Sequence, residues 1–270
     1  MKGGRLILWC CAWILFQAEG SAQTVGTTSF TDAGTGLYSG SSPHGSIQWL
    51  GYPTSPFPSS YVFTLASGFT LRFTLSVTGP ITVVPTQPPT YSGAAFDKAG
   101  YTGVNGNVAL YGNTYTGTGT VSDTIQVTSI VLRNSSGTVV TSGWTLVLAD
   151  AESTNTSEGI SGTTNGSNWV LLDTIINFSP TSAPTLTGLG TSSVTITGNS
   201  AGNEDAYILG TNDPTTLTAT TTVGNGDRQG IAFGILVTTP EASTWIGGLA
   251  GAALCGLILF RRLRPGVRVA

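Results

Sequence analysis

Thr70-Leu71-Arg72-Phe73-Thr74-Leu75-Ser76-Val77 is the stretch that decides the fold. Its apolar residues alternate one by one with Thr70, Arg72, Thr74 and Ser76. Successive side chains of an extended chain point to opposite faces, so this period of two predicts a strand with one buried face. The same alternation returns at Ile125 and Val127, at Trp144, Leu146 and Leu148, at Val194 and Ile196, and from Ile231 to Val237. Further strands are predicted at Ser46–Leu50, Val108–Tyr111, Trp169–Ile175, Tyr207–Leu209 and Leu217–Val223.

Between these runs lie Gly79-Pro80, Asn105-Gly106, Ser136-Gly137, Asn165-Gly166, Asn212-Asp213-Pro214 and Asn225-Gly226. Such pairs supply turns in which φ is positive or fixed. No amphipathic helical stretch separates the strands. Many short strands with regular turns predict an all-β fold, a β-sandwich or jelly-roll-like domain. A β-solenoid is the alternative, but the sequence shows no fixed-period repeat.

Composition agrees. Of 270 residues only 9% are charged and 40% are hydrophobic. Disorder pairs low hydrophobicity with high net charge, and this chain has neither. Residues 23–238 hold four basic and eleven acidic side chains, a net of −7. That balance excludes an electrostatic footprint for nucleic acid. Cys10, Cys11 and Cys255 all lie in the terminal apolar runs. A disulfide framework and a thiolate metal site are therefore excluded for the middle.

The ends carry addresses. Residues 1–22 divide as a secretory signal: Lys2 and Arg5, an apolar run from Leu6 to Phe16, then Gly20-Ser21-Ala22, with signal-peptidase cleavage expected after Ala22. An uncleaved anchor is the alternative. Residues 23–58, rich in Gly, Ser, Thr and Pro, read as a lead-in, and 59–238 as the β-sandwich ectodomain. Residues 239–270 form a terminal tail. Residues 243–260 carry no charge, begin near Trp245 and are followed by Arg261, Arg262 and Arg264. As a helix they reach about 27 Å, enough for a single transmembrane span, and the arginines would stop transfer and stay cytoplasmic.

Pro240-Glu241, continued by Ser243-Thr244, then an apolar span and an arginine cluster, resembles the PEP-CTERM sorting signal. Ala242 stands where that family has its second proline. The resemblance implies export in a Gram-negative bacterium that makes exopolysaccharide, and recognition of the tail by an exosortase-like membrane enzyme. A plain C-terminal anchor is the alternative reading of the same residues.

The stretch richest in functional groups runs from Trp144 to Trp169. Asp150, Glu152, Asn155 and Glu158 supply the oxygen ligands that calcium takes, although their spacing is not that of an EF-hand. Acids that cap turns in a hydrated loop are the competing reading. No other cofactor is required. The strand, the acidic loop and Trp169 also resemble, over residues 120–175, part of the lectin-like β-sandwich domains of bacterial fibrillar adhesins. That resemblance raises adhesion or glycan binding and carries no site residues with it.

Asp150 and Glu152 also meet the minimum of two carboxylates for a glycosidase, with nothing further in support. His44 is the lone histidine, in a Gly/Pro-rich segment, so neither a Ser–His pair nor a zinc site is expected. Trp144 reads as core, and Trp49, flanked by Gly and Pro, as the exposed aromatic for stacking on sugar. The expected function is a non-enzymatic adhesion or exopolysaccharide-binding protein of the cell surface or extracellular matrix, anchored in the membrane at least transiently. A structural matrix component and a carbohydrate-active enzyme are the alternatives.

Overall fold

The computed structural model describes residues 23–30, 46–53, 57, 59–88, 101, 103–151, 153–175, 183–199 and 205–237. The signal segment with Ala22, the sorting residues Pro240, Glu241, Ser243 and Thr244, the span 243–260 and Arg261, Arg262 and Arg264 all lie outside them, as do His44 and Glu152. Among the described residues no helix is long and apolar enough to cross a membrane. Every helix or strand element named among those residues is a strand.

The strands form two sheets. The first runs β1 (Thr24–Val25), β4 (Ser59–Thr64), β5 (Thr70–Thr78), β8 (Val121–Arg133), β16 (Leu217–Val223), β11 (Gly159–Thr164), β14 (Ser193–Thr197) and β13 (Thr185–Thr187), with β9 (Val139–Val140) beside β8. The second runs β12 (Val170–Ile175), β15 (Ala206–Asn212), β10 (Trp144–Asp150), β17 (Gly230–Val237), β3 (Gln48–Gly51) and β2 (Thr27–Ser29). On the β3 side, β17 is also paired with β7 (Ala109–Gly112), and β6 (Val83–Thr86) lies beyond. The β1–β4 pair is parallel. The segment read as a lead-in thus contributes three strands to the two sheets: β1 pairs with β4, β2 with β3, and β3 in turn with the distant β17.

One core joins the sheets. Phe63, Leu71, Leu75, Ile125 and Ile196 of the first sheet share a cluster with Leu146, Leu148, Leu209, Phe233 and Ile235 of the second. The predicted alternation holds in the first sheet: Leu71, Phe73 and Leu75 are buried, while Arg72 is exposed. Along β16, Leu217, Ala219, Thr221 and Val223 are buried, and Thr218, Thr220 and Thr222 face outward.

The second sheet behaves differently. Leu146 and Leu148 enter the shared core, whereas Val147 and Ala149 between them enter a second cluster with Trp49, Tyr101, Val108, Ile208 and Ala232. Its central strands therefore have no face in water. That explains why β17, Gly-Ile-Ala-Phe-Gly-Ile-Leu-Val, reads as a continuous apolar run.

A β-bulge resets the pattern in β8. Arg72 pairs with Val131 but Thr74 pairs with Thr128, so Phe73 faces two residues, Ser129 and Ile130. Ser129 has φ 55°, a left-handed conformation usually left to glycine. The extra residue keeps both Val127 and Ile130 facing inward, at 1% and 2% exposure. The Ile130 N–H donates instead to the Thr215 carbonyl at 3.0 Å. Turn chemistry follows the sequence closely. Gly106, Gly137 and Gly226 have φ of 93°, 83° and 87°, and the Asn134 side-chain oxygen accepts from the Ser136 and Thr138 N–H groups.

Burial on both faces of the second sheet predicts an asymmetry under mutation. Val147→Ala should lower unfolding free energy by about 1–3 kcal/mol, as in a core. Thr220→Ala on the outer face of the first sheet should stay within about 0.5 kcal/mol. Urea unfolding measures both, and equal small effects would place Val147 at a solvated face.

Candidate functional site

Asp150 ends β10, and the chain then turns through the acidic loop back into β11. Asp150 is 1% exposed and Glu158 5% exposed. Carboxylates this buried need donors, because an unpaired charge in the interior is strongly disfavoured. The loop supplies them. The Thr154 hydroxyl donates to Asp150 Oδ2 and in turn accepts from Gln229 Nε2 at 3.1 Å. Gln229 Oε1 accepts from the Gly230 N–H, which ties this relay to the start of β17.

Glu158 closes its own turn. Its Oε2 accepts from the Asn155 N–H at 2.5 Å, while its N–H donates to the Asn155 carbonyl at 2.8 Å. The Glu158 carbonyl accepts from Gly198 N–H at the end of β14. Ser157 donates its hydroxyl to Asp227 Oδ2, bringing in the loop between β16 and β17. The nominated Asp150, Asn155 and Glu158 are therefore brought to one end of the molecule, each within a hydrogen-bonded turn. Glu158 sits immediately before a central strand rather than in a long loop.

Among the described residues no group of three or more His, Cys, Asp or Glu side chains is placed to hold a metal ion, and Glu152 lies outside them. The Asn155 side-chain oxygen is buried without a hydrogen-bond donor among the described residues.

The tryptophans correct one expectation. Trp49, read as the exposed sugar-stacking aromatic, is 0% exposed. It lies in β3 opposite Gly234, where an added Cβ would come within 3.1 Å of the Trp49 ring. The missing side chain lets the indole lie on the sheet, and its ring packs 5.1 Å from that of Tyr101. Glycine and proline neighbours suggested a loop, but the glycine partner across the strand pair decides the burial. Trp144 and Trp169 are also core, at 4% and 0%.

Sequence reasoning missed a concave feature on the outer face of the first sheet. A cavity of about 290 Å³ opens over β4, β5 and β8, with Ser60, Arg72, Thr74, Ser129 and Arg133 in its lining. Its signal in the sequence was faint: Arg72 and Arg133 are two of only four cations in residues 23–238.

If the acidic loop is a hydrogen-bonded cap, Thr154→Val should destabilise by about 1–3 kcal/mol, since it strips a donor from a buried carboxylate. Thr154→Ser, which keeps the hydroxyl, should lose less. Equal losses in chemical denaturation would mean that only packing of the methyl matters.

Neither a curated protein nor a solved structure matches the chain. A family model does, over residues 45–237, from just before β3 to the end of β17 and so across the strands of both sheets. That match takes in more than half of the sequence, and the chain accordingly belongs to the family described as surface adhesin CshA non-repetitive domain 2.

Proposed function

We propose that this chain is a cell-surface or matrix-associated adhesion protein, non-enzymatic, with a β-sandwich as its binding domain. The observation that carries the proposal is the match to a surface-adhesin domain over residues 45–237. Two physical features support it. A core shared by two extensive sheets gives a rigid scaffold, on which binding groups are held better than on loops. The outer face of the first sheet is dominated by uncharged hydroxyls, such as Thr218, Thr220 and Thr222, which suit contact with a hydrated polymer.

On this reading residues 1–22 are removed after Ala22 during export. The tail from residue 239, with Pro240, Glu241, Ser243 and Thr244 and the span 243–260, holds the protein at the membrane until an exosortase-like enzyme sorts it. The ligand is an exopolysaccharide or another surface polymer. Calcium at Asp150, Glu152, Asn155 and Glu158 is part of the proposal, supported by the buried Asn155 side-chain oxygen, which has no donor among the described residues. A structural matrix role without a ligand is the competing proposal.

The test is attachment of the native host to surfaces coated with its own exopolymer. Deleting the gene should lower attachment several-fold, and the full chain supplied in trans should restore it. Dependence on calcium is read in the same assay with chelator and with calcium restored. Attachment unchanged by the deletion would contradict the adhesion reading and favour the structural one.

A further inference from the structure

The cavity on the outer face of the first sheet is built from adjacent paired strands. Ser60 of β4 pairs with Thr74 of β5, and their hydroxyls lie 3.1 Å apart. One step along, Arg72 pairs with Val62 of β4 on one side and Val131 of β8 on the other. Arg133 lies two residues beyond Val131, so it projects from the same face, diagonal to Arg72. Diagonal neighbours on adjacent strands are about 7–8 Å apart at the backbone, within reach for two long side chains to converge.

The electrostatics of this place are unusual for the molecule. Residues 23–238 carry a net of −7, yet two of their four cations line one cavity, and among the described residues no carboxylate lines it. Two like charges on one face repel unless something neutralises them. Arg133 donates one Nη1 hydrogen bond to the Gly137 carbonyl at 2.8 Å, which orients the guanidinium without neutralising it. The planar guanidinium fork matches carboxylate and sulfate oxygens in two-pronged geometry.

The bulge contributes as well. Ser129 holds φ 55° where glycine is the ordinary occupant, and it is one of the residues that line the cavity. With Gln23, Ser60 and Thr74 it surrounds the arginines with neutral hydrogen-bonding groups. This is the complement of a ligand that carries one anionic group among many hydroxyls. A peptide fits less well. Strand addition needs an open edge, and β5 is paired on both sides by β4 and β8.

We propose that Arg72 and Arg133 clamp the acidic group of a saccharide, a uronate carboxylate or a sugar sulfate, while Gln23, Ser60, Thr74 and Ser129 bind its hydroxyls. The proposal deepens the adhesion reading by naming a ligand class, and it rests on that reading for the polymer as the source of the sugar.

The test is calorimetric titration of the full chain in mild detergent at low salt. Trigalacturonate, its methyl ester, a sulfated disaccharide and a short polyglutamate peptide are the probes. Trigalacturonate should bind at least tenfold more tightly than its neutral ester, and the sulfated sugar reports whether sulfate serves as well as carboxylate. Arg72→Gln and Arg133→Gln should each weaken trigalacturonate at least tenfold. Arg228→Gln removes the same charge from a side chain stacked on Tyr111, 5.7 Å from its ring centroid, and should change binding less than twofold.

Equal binding of acid and ester, no binding of either acidic sugar, or an equal loss in Arg228→Gln would overturn the proposal. Polyglutamate bound as tightly as trigalacturonate would overturn the assignment to a sugar. Should the arginine variants fail to fold, the acid-to-ester comparison on the unaltered chain decides alone. Host-cell attachment is read separately, so a failed adhesion reading and a failed cavity assignment give different results.

Discussion

The constraint on which the structure depends is that β10 and β17 have no side in contact with water. Each presents alternate residues to two clusters, Leu146 and Leu148 to one and Val147 and Ala149 to the other. Hydrogen bonding follows from the same placement, since β17 is paired by β10 along one edge and by β7 and β3 along the other. A strand buried on both faces and both edges leaves its backbone no alternative partner, and register is then strongly specified. The rest of the second sheet is fixed to this pair. The first sheet is fixed to it through the shared core.

The two sheets therefore have different duties. Covering the outer face of the second sheet's central strands takes apolar groups from Tyr101, Val104, Val108 and Trp49, and keeps those strands out of contact with water. The first sheet keeps a face of threonine and serine, with few charges and one pair of arginines. Hydroxyl side chains favour extended backbone and hydrate a surface without charge. In a domain with little charge, the position of each cation carries more information than its number.

Much of this was legible in the sequence. Alternation from Thr70 to Val77 announced a half-solvated strand, and the pairs Asn105-Gly106, Ser136-Gly137 and Asn225-Gly226 marked turns that have a positive φ at the glycine, whereas Gly166 of Asn165-Gly166 does not. The continuous run in β17 held the information that the second sheet is covered twice, although it was read only as alternation. No strand is predicted over β11, Gly-Ile-Ser-Gly-Thr-Thr, because its glycines and hydroxyl residues are turn formers and show no apolar alternation. Its Gly162 is required by packing: an added Cβ would come within 3.0 Å of Leu148 and Trp169. That need is set by partners far away in the chain, so no local pattern reveals it. The same holds for the bulge at Ser129, whose geometry is fixed by the pairing of β5 with β8. Of the acidic loop, the residue types were legible. Their use as acceptors for Thr154 and for the Asn155 N–H was not, because that depends on where β11 and Gln229 fall.

On the proposed adhesion reading, the outer face of the first sheet is where a ligand binds, because the central strands of the second are covered on both faces. Hydroxyl-radical footprinting of the full chain, with and without the host's exopolymer, tests this most directly. Polymer should protect side chains on β4, β5, β8 and β16, and leave Trp49, Tyr101 and Val147 slow to react in both conditions. Rapid labelling of those three residues in the free protein, with protection appearing there on addition of polymer, would contradict it.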